Sequence, residues 1–482
     1  VVPLLAAPIT AILPRPRIAW LLTLVTTWSC LLLAVWQLQS VLDGNIISYE
    51  LGGWAPPWGI EYRIDTLASY VLLIVTAMAA LVMLFAKQSV SREIPEQSIA
   101  RFYACLMLAF AGLAGIVATG DAFNVFVFLE ISSLASYALI SMGRDRRALN
   151  AAFQYLVMGT IGATFILIGI GFLYMMTGTL NMLDLAARLP EVSDTRTVRA
   201  GFAFLTVGIG LKLAMFPLHL WLPNAYAYAP SAVTAFLAAT ATKVAVYVML
   251  RFMLDVFGAD FSLGDMPLNL ILMALGLVGI IMASLVAVFQ DDVKRMFAYS
   301  SVAQIGYMLL GIGLASATGV GAAILHIFNH ALMKGALFLA LGAVAYRIGA
   351  VTLGDFAGLG KRMPWTMAAI AIGGLSLIGV PPTAGFVSKW YLVLGTLEQG
   401  LWPIAVLILI GSLLALVYVW RLIEAAYFGA VAADAPEVRE APASMLVPIW
   451  ILVAANIYFG INTDISVGAA MQAATMLMGN GG

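Results

Sequence analysis

Long apolar runs separated by short polar stretches dominate the chain and predict a bundle of membrane-spanning helices. A spanning α-helix needs about 20 mostly apolar residues. On this criterion the sequence predicts about 14 transmembrane helices and an all-α polytopic membrane protein. Their approximate ranges are 1–13, 18–38, 67–86, 102–120, 123–142, 151–177, 200–226, 231–255, 268–289, 296–316, 319–347, 366–398, 402–428 and 444–462. Residues 1–13 are predicted to be a helix and not a signal peptide, because the basic residues follow the apolar run.

Two of the predicted helices are interrupted by proline. The seventh contains Pro217 and Pro223, and the twelfth contains Pro381-Pro382. Lipid cannot satisfy the backbone groups that such breaks release, so breaks occur where protein or water lines a cavity. Interrupted segments in corresponding positions indicate two inverted five-helix repeats, which we assign to helices 4–8 and 9–13. The predicted units are 1–101 with helices 1–3 and an outer loop, the repeats 102–255 and 256–428, and 429–482 with helix 14 and a tail.

The loop charges predict an orientation. Alternate loops are rich in lysine and arginine, as in the run Arg144, Arg146 and Arg147. The opposite loops hold only a few basic residues: Arg63, Arg188, Arg196, Arg199 and Arg251. The positive-inside rule then places both termini on the non-cytoplasmic side of the cell (inner) membrane.

Two stretches outside the apolar runs have their own patterns. Leu42–Thr66 combines Gly-Gly and Pro-Pro pairs with short alternating pieces, which predicts an ordered lid or hairpin on the outer surface. Leu180–Leu189 is amphipathic and is expected to lie along the membrane interface.

Composition limits the classes of function. The 482 residues are 63% hydrophobic and 10% charged, with 24 basic and 24 acidic side chains, so nothing indicates a nucleic-acid partner. Cys30 and Cys105 cannot build a disulfide framework or a metal site. The chain also contains no nucleotide-binding fingerprint. We therefore expect no cofactor and no redox site in this chain, with energy coming from an ion gradient or another subunit.

Ionisable residues inside the apolar runs are the candidate functional groups, because charge in a bilayer is costly and marks function by default. Glu130 is the only charge of the fifth predicted helix, and Lys212 of the seventh is its natural partner. A pair of this kind can gate proton movement. The alternative is a static salt bridge that clamps two helices.

Two further lysines lie inside predicted helices. Lys243 has Thr234, Thr240 and Thr242 nearby, which would leave room for water, so it is a candidate proton carrier. Its alternative, snorkelling to the interface, conflicts with its distance from the helix start. Lys389 follows the break in the twelfth predicted helix and is a candidate last carrier before an exit.

The eleventh predicted helix contains His326, His330 and Lys334 at i, i+4 and i+8, on one helical face. Imidazole titrates near neutrality, so two histidines that lead to a lysine suit a proton relay. The carboxylate expected for a metal pair is missing from the segment, so we predict no metal site. The remaining alternative is that each histidine is satisfied by local hydrogen bonds.

Accessory residues border these groups. His219 lies beside the break at Pro217 and is predicted either to feed protons to Lys212 or to bond loosened backbone. The polar residues Tyr299, Ser300, Ser301 and Gln304 are predicted to line a water-filled branch. Structural roles are predicted for the loop charges Asp291, Asp292, Lys294 and Arg295, and for a pair between Arg421 and Glu424.

Five segments together resemble one family. They are FLEISSLASYALI around Glu130, KLAMFPLHLWLPNAYAYAPS, DDVKRMFAYSSVAQIGY, HIFNHALMKGALF and GVPPTAGFVSKW. In this order they resemble the antiporter-like subunits of Mrp-type multisubunit Na⁺/H⁺ antiporters, of respiratory complex I and of membrane-bound hydrogenases. Among these, the D-type subunit of the Mrp antiporters is the most similar. The resemblance covers nearly the whole chain.

The resemblance implies a fold of 14 helices and a hydrated axis at mid-membrane. It places proton translocation on Glu130, Lys212, Lys243, His326, His330, Lys334 and Lys389. We therefore expect a proton-translocating subunit of a cation(Na⁺)/proton antiporter, with other membrane subunits as partners and with Na⁺ passing through this chain or a neighbour. The alternative is a redox-driven proton-pumping subunit of a complex I-like oxidoreductase or hydrogenase.

Overall fold

The computed structural model describes residues 1–13, 15–349, 351–430 and 438–479, and helices form most of it. The first half contains α1 (Val2–Ile12), α2 (Pro16–Leu42), α3 (Thr66–Glu93), α4 (Ile99–Ala118), α5 (Ala122–Ser141), α6 (Arg147–Thr177), α7 (Met182–Val192), α8 (Arg196–Lys212), α9 (Trp221–Tyr228) and α10 (Ser231–Leu250). The second half contains α11 (Leu268–Val288), α12 (Val293–Gly313), α13 (Ala317–Ile348), α14 (Leu359–Arg362), α15 (Pro364–Ile378), α16 (Ala384–Glu398), α17 (Trp402–Phe428), α18 (Ala443–Ile461) and α19 (Asp464–Gly479).

Within these described residues, 11 helices are long and apolar enough to cross a membrane. The other three predicted spans are α1 and the two interrupted helices, none of which has 18 continuous α-helical residues. The prediction of an all-α polytopic membrane protein is confirmed, whereas the inverted repeat stays a prediction.

The degree of burial separates central helices from peripheral ones. The apolar windows of α10, α12 and α13 are almost entirely buried, and those of α2, α17 and α18 lie mostly on the perimeter. The central helices carry several of the buried polar residues, among them Lys243, Gln304 and His330. Polar groups in a membrane are satisfied by protein or water and not by lipid, which is the physical reason for this arrangement.

Both predicted helix breaks are confirmed. The chain leaves α8 after Lys212 and resumes as α9 at Trp221, whose Nε1 donates a 3.0 Å hydrogen bond back to the Leu211 carbonyl. The second break lies between α15 and α16, where Gly379 takes a left-handed conformation (φ 92°) that closes α15. The Ser376 hydroxyl accepts from the Gly385 N–H (3.2 Å) and so joins the two halves.

The predicted hairpin is also present between α2 and α3. Strands β1 (Ile47–Glu50) and β2 (Glu61–Ile64) pair antiparallel, with Ile47 opposite Ile64. The Glu61 carboxylate ties the hairpin down by accepting from the Ser48 hydroxyl (2.6 Å) and the Asn181 amide (3.1 Å). Asn181 in turn caps α7, which covers most of the predicted amphipathic stretch.

One helix has no counterpart in the sequence prediction. Helix α19 follows α18 directly and packs against α3 and α13, where the Tyr70 hydroxyl donates to the Ser466 carbonyl at 3.3 Å. Its 16 residues are too few for a spanning helix, so the length criterion assigned this segment to a tail.

Candidate functional site: a row of buried amines and imidazoles

Glu130 of α5 and Lys212 of α8 form the predicted pair. The Lys212 Nζ lies 3.6 Å from the Glu130 Oε1 and donates a 2.9 Å hydrogen bond to the Ser133 hydroxyl. Lys212 is buried, whereas 26% of the Glu130 side chain is exposed. Because Lys212 is the last residue of α8, its ammonium also lies at the negative end of a helix dipole.

A cavity of about 40 Å³ lies between Lys212 and α10. Serines from α5 line one wall, and Ala241, Val244 and Ala245 of α10 line the other. A volume of this size holds at least one water molecule, and the hydroxyls supply the polar partners that such a water needs. The cavity therefore connects the Glu130–Lys212 pair with the helix that carries Lys243.

Lys243 is fully buried, which excludes snorkelling. Its Nζ donates to the Ala238 carbonyl and lies 3.4 Å from the Thr242 hydroxyl. The predicted threonine surroundings are only partly correct. Thr234 and Thr240 donate to backbone carbonyls of their own region, as α-helical threonines commonly do, and so Thr242 alone contacts the amine.

His326 and His330 of α13 stack with ring centroids 5.9 Å apart and planes 5° from parallel. His326 is satisfied, because Nδ1 bonds the Ser388 hydroxyl at 2.8 Å and Nε2 bonds the Gln304 amide oxygen at 2.9 Å. In the described part of the chain, neither ring nitrogen of His330 has a hydrogen-bond partner. Lys334 lies four residues, about one turn, further along the same helix, and α13 packs against α10, which carries Lys243.

Lys334 lies on the other side of His330 along α13. Its Nζ donates to the Phe297 carbonyl (2.7 Å) and to the Ser300 hydroxyl (2.5 Å), both on α12. The amine also lies 5.6 and 5.7 Å from the ring centroids of Phe297 and Phe338. Neutral oxygens and aromatic faces hold this amine.

Lys389 shows what the second helix break provides. Its Nζ donates to the carbonyls of Leu377 (3.0 Å) and Ile378 (2.9 Å) at the end of α15, and to the Ser412 hydroxyl (3.0 Å). It lies 4.6 Å from the ring centroid of Tyr307. The last carbonyls of a helix have no partner within that helix, so the break creates the acceptors for this amine.

The accessory residues follow the prediction in part. His219 stacks on Phe216 (5.1 Å between centroids) and meets the edge of Tyr299 (6.3 Å), and so its ring contacts do not lie with Lys212. Gln304 contacts His326. His326 belongs to the row of candidate residues, by which we mean Glu130, Lys212, Lys243, His326, His330, Lys334 and Lys389. Ser301 donates to the Phe297 carbonyl at 3.2 Å, as part of its own helix.

The predicted pair between Arg421 and Glu424 is wrong. Arg421 instead lies 3.6 Å from Asp291 and donates to the Val288 carbonyl, because the end of α17 reaches the end of α11. The structural role predicted for Asp292 is confirmed: α12 begins at Val293, three residues before the predicted start, and the Asp292 carboxylate caps it by accepting from the Arg295 N–H at 2.9 Å. Loop contacts between distant segments decide such pairings, and local spacing does not.

Two polar clusters at the ends of α10 were not predicted. At the end nearest the basic loops, Glu93 and Lys294 meet at Ser231. At the end nearest the hairpin, Arg251 bonds Asp65 and donates to Asp255 at 3.1 Å. In the sequence Lys294 and Arg251 are typical loop charges; the signal that identifies them is their position at the ends of the helix that carries Lys243.

Asp65 belongs to the cluster outside the membrane-spanning segments. Burial opposes its ionisation, but the adjacent Arg251 guanidinium and the Ala68 N–H stabilise the anion and together hold the pKa of Asp65 below its ordinary value. Asp65 also caps α3, because its carboxylate accepts from the Ala68 N–H at 2.9 Å. This cluster is therefore a fixed ion pair at a helix end.

Known proteins of two kinds match along the chain. The N-type subunit of the NADH-quinone oxidoreductase of Desulforudis audaxviator is 43% identical over 451 residues, which cover 91% of this chain and 89% of that protein. The D-type subunit of the Na⁺/H⁺ antiporter of Alkalihalophilus pseudofirmus is 32% identical over 448 residues, which cover 93% of this chain and 90% of that protein.

Solved structures match the whole fold. A chain of the Mrp complex from Dietzia sp. superposes with a TM-score of 0.91 at 26% identity over 99% of this chain and 96% of that one. A chain of respiratory complex I from Thermus thermophilus, at 19% identity, has the same fold with a TM-score of 0.85 over 100% and 98%. The family described as "NADH:quinone oxidoreductase/Mrp antiporter, TM" matches residues 119–415, which contain every residue of the predicted row. The chain is therefore a member of this family of antiporter-like membrane subunits.

Proposed function

We propose that this chain moves protons across the membrane along the row formed by Glu130, Lys212, Lys243, His330, His326, Lys334 and Lys389. The observation that carries the proposal is the way the four buried amines are held. Among the residues that the structure describes, Lys212 alone of the four has a carboxylate partner, and neutral oxygens hold the other three amines. An ammonium without a counter-ion in a membrane interior is costly, and a lysine can remove that cost by releasing its proton. A purely structural network would gain nothing from such groups.

The order of the row follows from the contacts. The 40 Å³ cavity joins Lys212 to α10, His330 and Lys334 lie about one turn apart on α13, which packs against α10, and His326 connects through Ser388 to α16, which carries Lys389. Water molecules and rotation of the histidine rings would connect those residues of the row that are not in contact. Tyr299, Ser301 and His219 would line the route without carrying protons.

We also propose which partners this chain has and which ion it handles. Relatives named as subunits, and neighbours from the Mrp complex and from an archaeal respiratory membrane complex, support the proposal that other membrane subunits are the partners of this chain. The basic end of the bundle, which carries Arg144 to Arg147, would face the cytoplasm. We also propose that the chain itself handles protons and leaves any Na⁺ to a neighbour, since Glu130 is the only carboxylate of the row and Na⁺ is a hard cation that binds oxygen ligands.

Two energy sources are compatible with the same row. The motif resemblance favours a cation(Na⁺)/proton antiporter, whereas the 43% identity with an NADH-quinone oxidoreductase subunit favours a redox-driven pump. Extraction in a mild detergent followed by mass spectrometry of the co-purified subunits separates the two. Iron–sulfur or quinone-reducing partners would support the pump, and antiporter subunits alone would support exchange.

The test of proton movement uses the assembled complex in sealed vesicles with a pH-sensitive dye. Lys243→Met is expected to lower the proton flux at least 100-fold, because it removes the buried amine at the centre of the row. Lys361→Met is the matched control, since Lys361 is exposed on α14, and its flux should stay within twofold of the unmodified complex. Full proton flux in a correctly assembled Lys243→Met complex would refute the proposal.

A further inference from the structure

A cavity of about 390 Å³ with charged residues in its lining opens at the basic end of the bundle. It lies where the end of α3 and the starts of α10 and α12 meet the end of α13. Both signs of charge line it: Arg92, Glu93, Arg144, Asp145, Asp292 and Lys294. The cavity is large enough for many water molecules, and none of its residues belongs to the row described above.

Glu93 is anchored in this cavity by its hydrogen bonds. One carboxylate oxygen accepts from the backbone N–H of Ser231 at 2.8 Å, and the other accepts from the Ser89 hydroxyl. Pro230 precedes Ser231 and offers no side-chain cap, so Glu93 satisfies a free N–H at the start of α10. A titratable carboxyl is thus fixed at the end of the helix that carries Lys243.

Lys294 contacts Ser231 as well, through the hydroxyl of its side chain. Its Nζ lies 3.4 Å from the Ser231 hydroxyl, and the residue is only 7% exposed. Lys294 lies in the first turn of α12, and Ser300, which accepts from Lys334, lies six residues further on. At 1.5 Å per residue this separation is about 9 Å along the helix axis. The cavity therefore ends close to one amine of the row.

Aromatic side chains and close packing separate the cavity from that amine. The rings of Phe297 and Phe338 flank Lys334. Two turns further along α13, Gly342 packs so closely against Phe85 and Ser231 that an added Cβ would lie 2.8 and 2.9 Å from their atoms. As long as this layer contains no water, it separates the row from the solvent in the cavity.

We propose that this cavity is the site where the row takes up protons at the basic end, with Glu93 as the first acceptor. The inference rests on the proposed function. The Glu93 carboxylate takes a proton from hydronium in the cavity, which forms an O–H bond and releases water. When water enters the aromatic layer, that O–H bond breaks and the proton forms an N–H bond on the neutral amine of Lys334. Lys294 holds the hydroxyl of Ser231 and positions the start of α10.

The first test compares two carboxylates in the assembled complex. Glu93→Gln keeps the size of the side chain and an oxygen acceptor for Ser231, and should lower the proton flux at least 10-fold. Glu96→Gln is the matched control three residues further on, where the side chain is exposed outside this cavity, and should stay within twofold.

The second test does not depend on changing Glu93. Ala345 lines the cavity, so Ala345→Cys is introduced after Cys30 and Cys105 are replaced by alanine. A charged, membrane-impermeant methanethiosulfonate added at the basic face should label it and lower the flux at least fivefold, whereas labelled Lys361→Cys should keep its flux. Labelling is counted by mass spectrometry.

The results distinguish this inference from the proposed function. Absence of labelling at Ala345→Cys, full labelling with unchanged flux, or full flux in Glu93→Gln would each overturn the uptake site. If Lys243→Met is inactive in the same vesicles while these variants stay fully active, only the uptake site fails. If Lys243→Met is active, the proposed function fails first.

Discussion

Two buried ion pairs in this chain have similar components and different geometries. In the middle of the bundle, Lys212 meets Glu130 at 3.6 Å and donates one hydrogen bond to a serine. At the hairpin end, Arg251 bonds Asp65, Asp255 and the Tyr247 hydroxyl at once. The lysine has a single loose carboxylate partner, whereas the arginine is held by three groups.

Under the proposed function, this difference distinguishes a proton carrier, Lys212, from a strut, by which we mean a purely structural ion pair, at Arg251. A guanidinium stays protonated in proteins, and its planar fork holds several acceptors in fixed directions. An ammonium on a flexible stem can leave its partner and release its proton. Burial of charge alone therefore does not identify a transport residue in this fold. We propose the ability to deprotonate as the criterion, and by it Lys212 resembles Lys389 and differs from Arg251.

The largest expected effect comes from exchanging the two chemistries at position 212. Lys212→Arg keeps the positive charge and the contact with Glu130, but the side chain cannot release a proton. We expect the complex to assemble and the proton flux to fall at least 100-fold, as it should in Lys212→Met. The measurements are vesicle flux and the yield of assembled complex for both variants.

Lys212→Arg and Lys212→Met also provide the result that would contradict the distinction between Lys212 and Arg251. Flux retained in Lys212→Arg together with loss of assembly in Lys212→Met would identify Lys212 as a strut like Arg251. The static salt bridge would then be the correct interpretation of the pair.

A smaller effect is expected when the carboxylate of the pair is changed. Glu130→Gln leaves Lys212 with the Ser133 hydroxyl, so its surroundings become similar to the neutral oxygens around Lys389. Since Lys389 shows that an amine is held without a carboxylate, we expect a flux loss of about 10-fold and not a complete loss, equivalent to about 1.4 kcal/mol.

A double-mutant cycle sharpens this result. If the pair works as a unit, Glu130→Gln should add almost nothing to the loss already caused by Lys212→Met. Fully additive losses would show that the two residues act separately.

The mid-membrane pair was predictable from the sequence because each member is the exceptional charge in an apolar run. The same signal found Lys243 and Lys389, and proline marked both helix breaks. Their partners were less predictable: Lys389 bonds backbone carbonyls 11 and 12 residues away, which have no sequence signature. Threonines near Lys243 suggested hydroxyl contacts, but backbone carbonyls compete for those hydroxyls.

The pair at the hairpin end was not predictable for a different reason. Arg251 and Asp65 are 186 residues apart, and each lies at a helix end where charge is common. Only the packing of α3 against α10 shows that they meet. The same holds for Arg421, whose partner Asp291 lies in another loop. Helix α19 was missed because a short apolar helix that is buried by its neighbours does not satisfy a rule made for lipid.

The smallest expected effect on proton flux comes from changing the ion pair between Arg251 and Asp65. Asp65→Asn removes one carboxylate from Arg251 while Asp255 remains, so we expect a loss of about 2 kcal/mol in stability, typical of a hydrogen bond to a charged group. Proton flux per assembled complex should stay within twofold. Asp43→Asn, an exposed residue near the same end, is the matched control and should change neither quantity.

The pH dependence of this variant separates a fixed pair from a titrating one. The pKa of Asp65 is lower in the folded protein than the usual value of about 3.9, so its contribution to stability is complete above that value and is lost as the pH falls through the folded-state pKa. Thermal unfolding midpoints of the unmodified and Asp65→Asn complexes should therefore differ at pH 7 and converge as the pH drops below about 4. A difference that persists in acid, or a tenfold loss of flux at pH 7, would show that the cluster at the hairpin end takes part in transport and is not a strut.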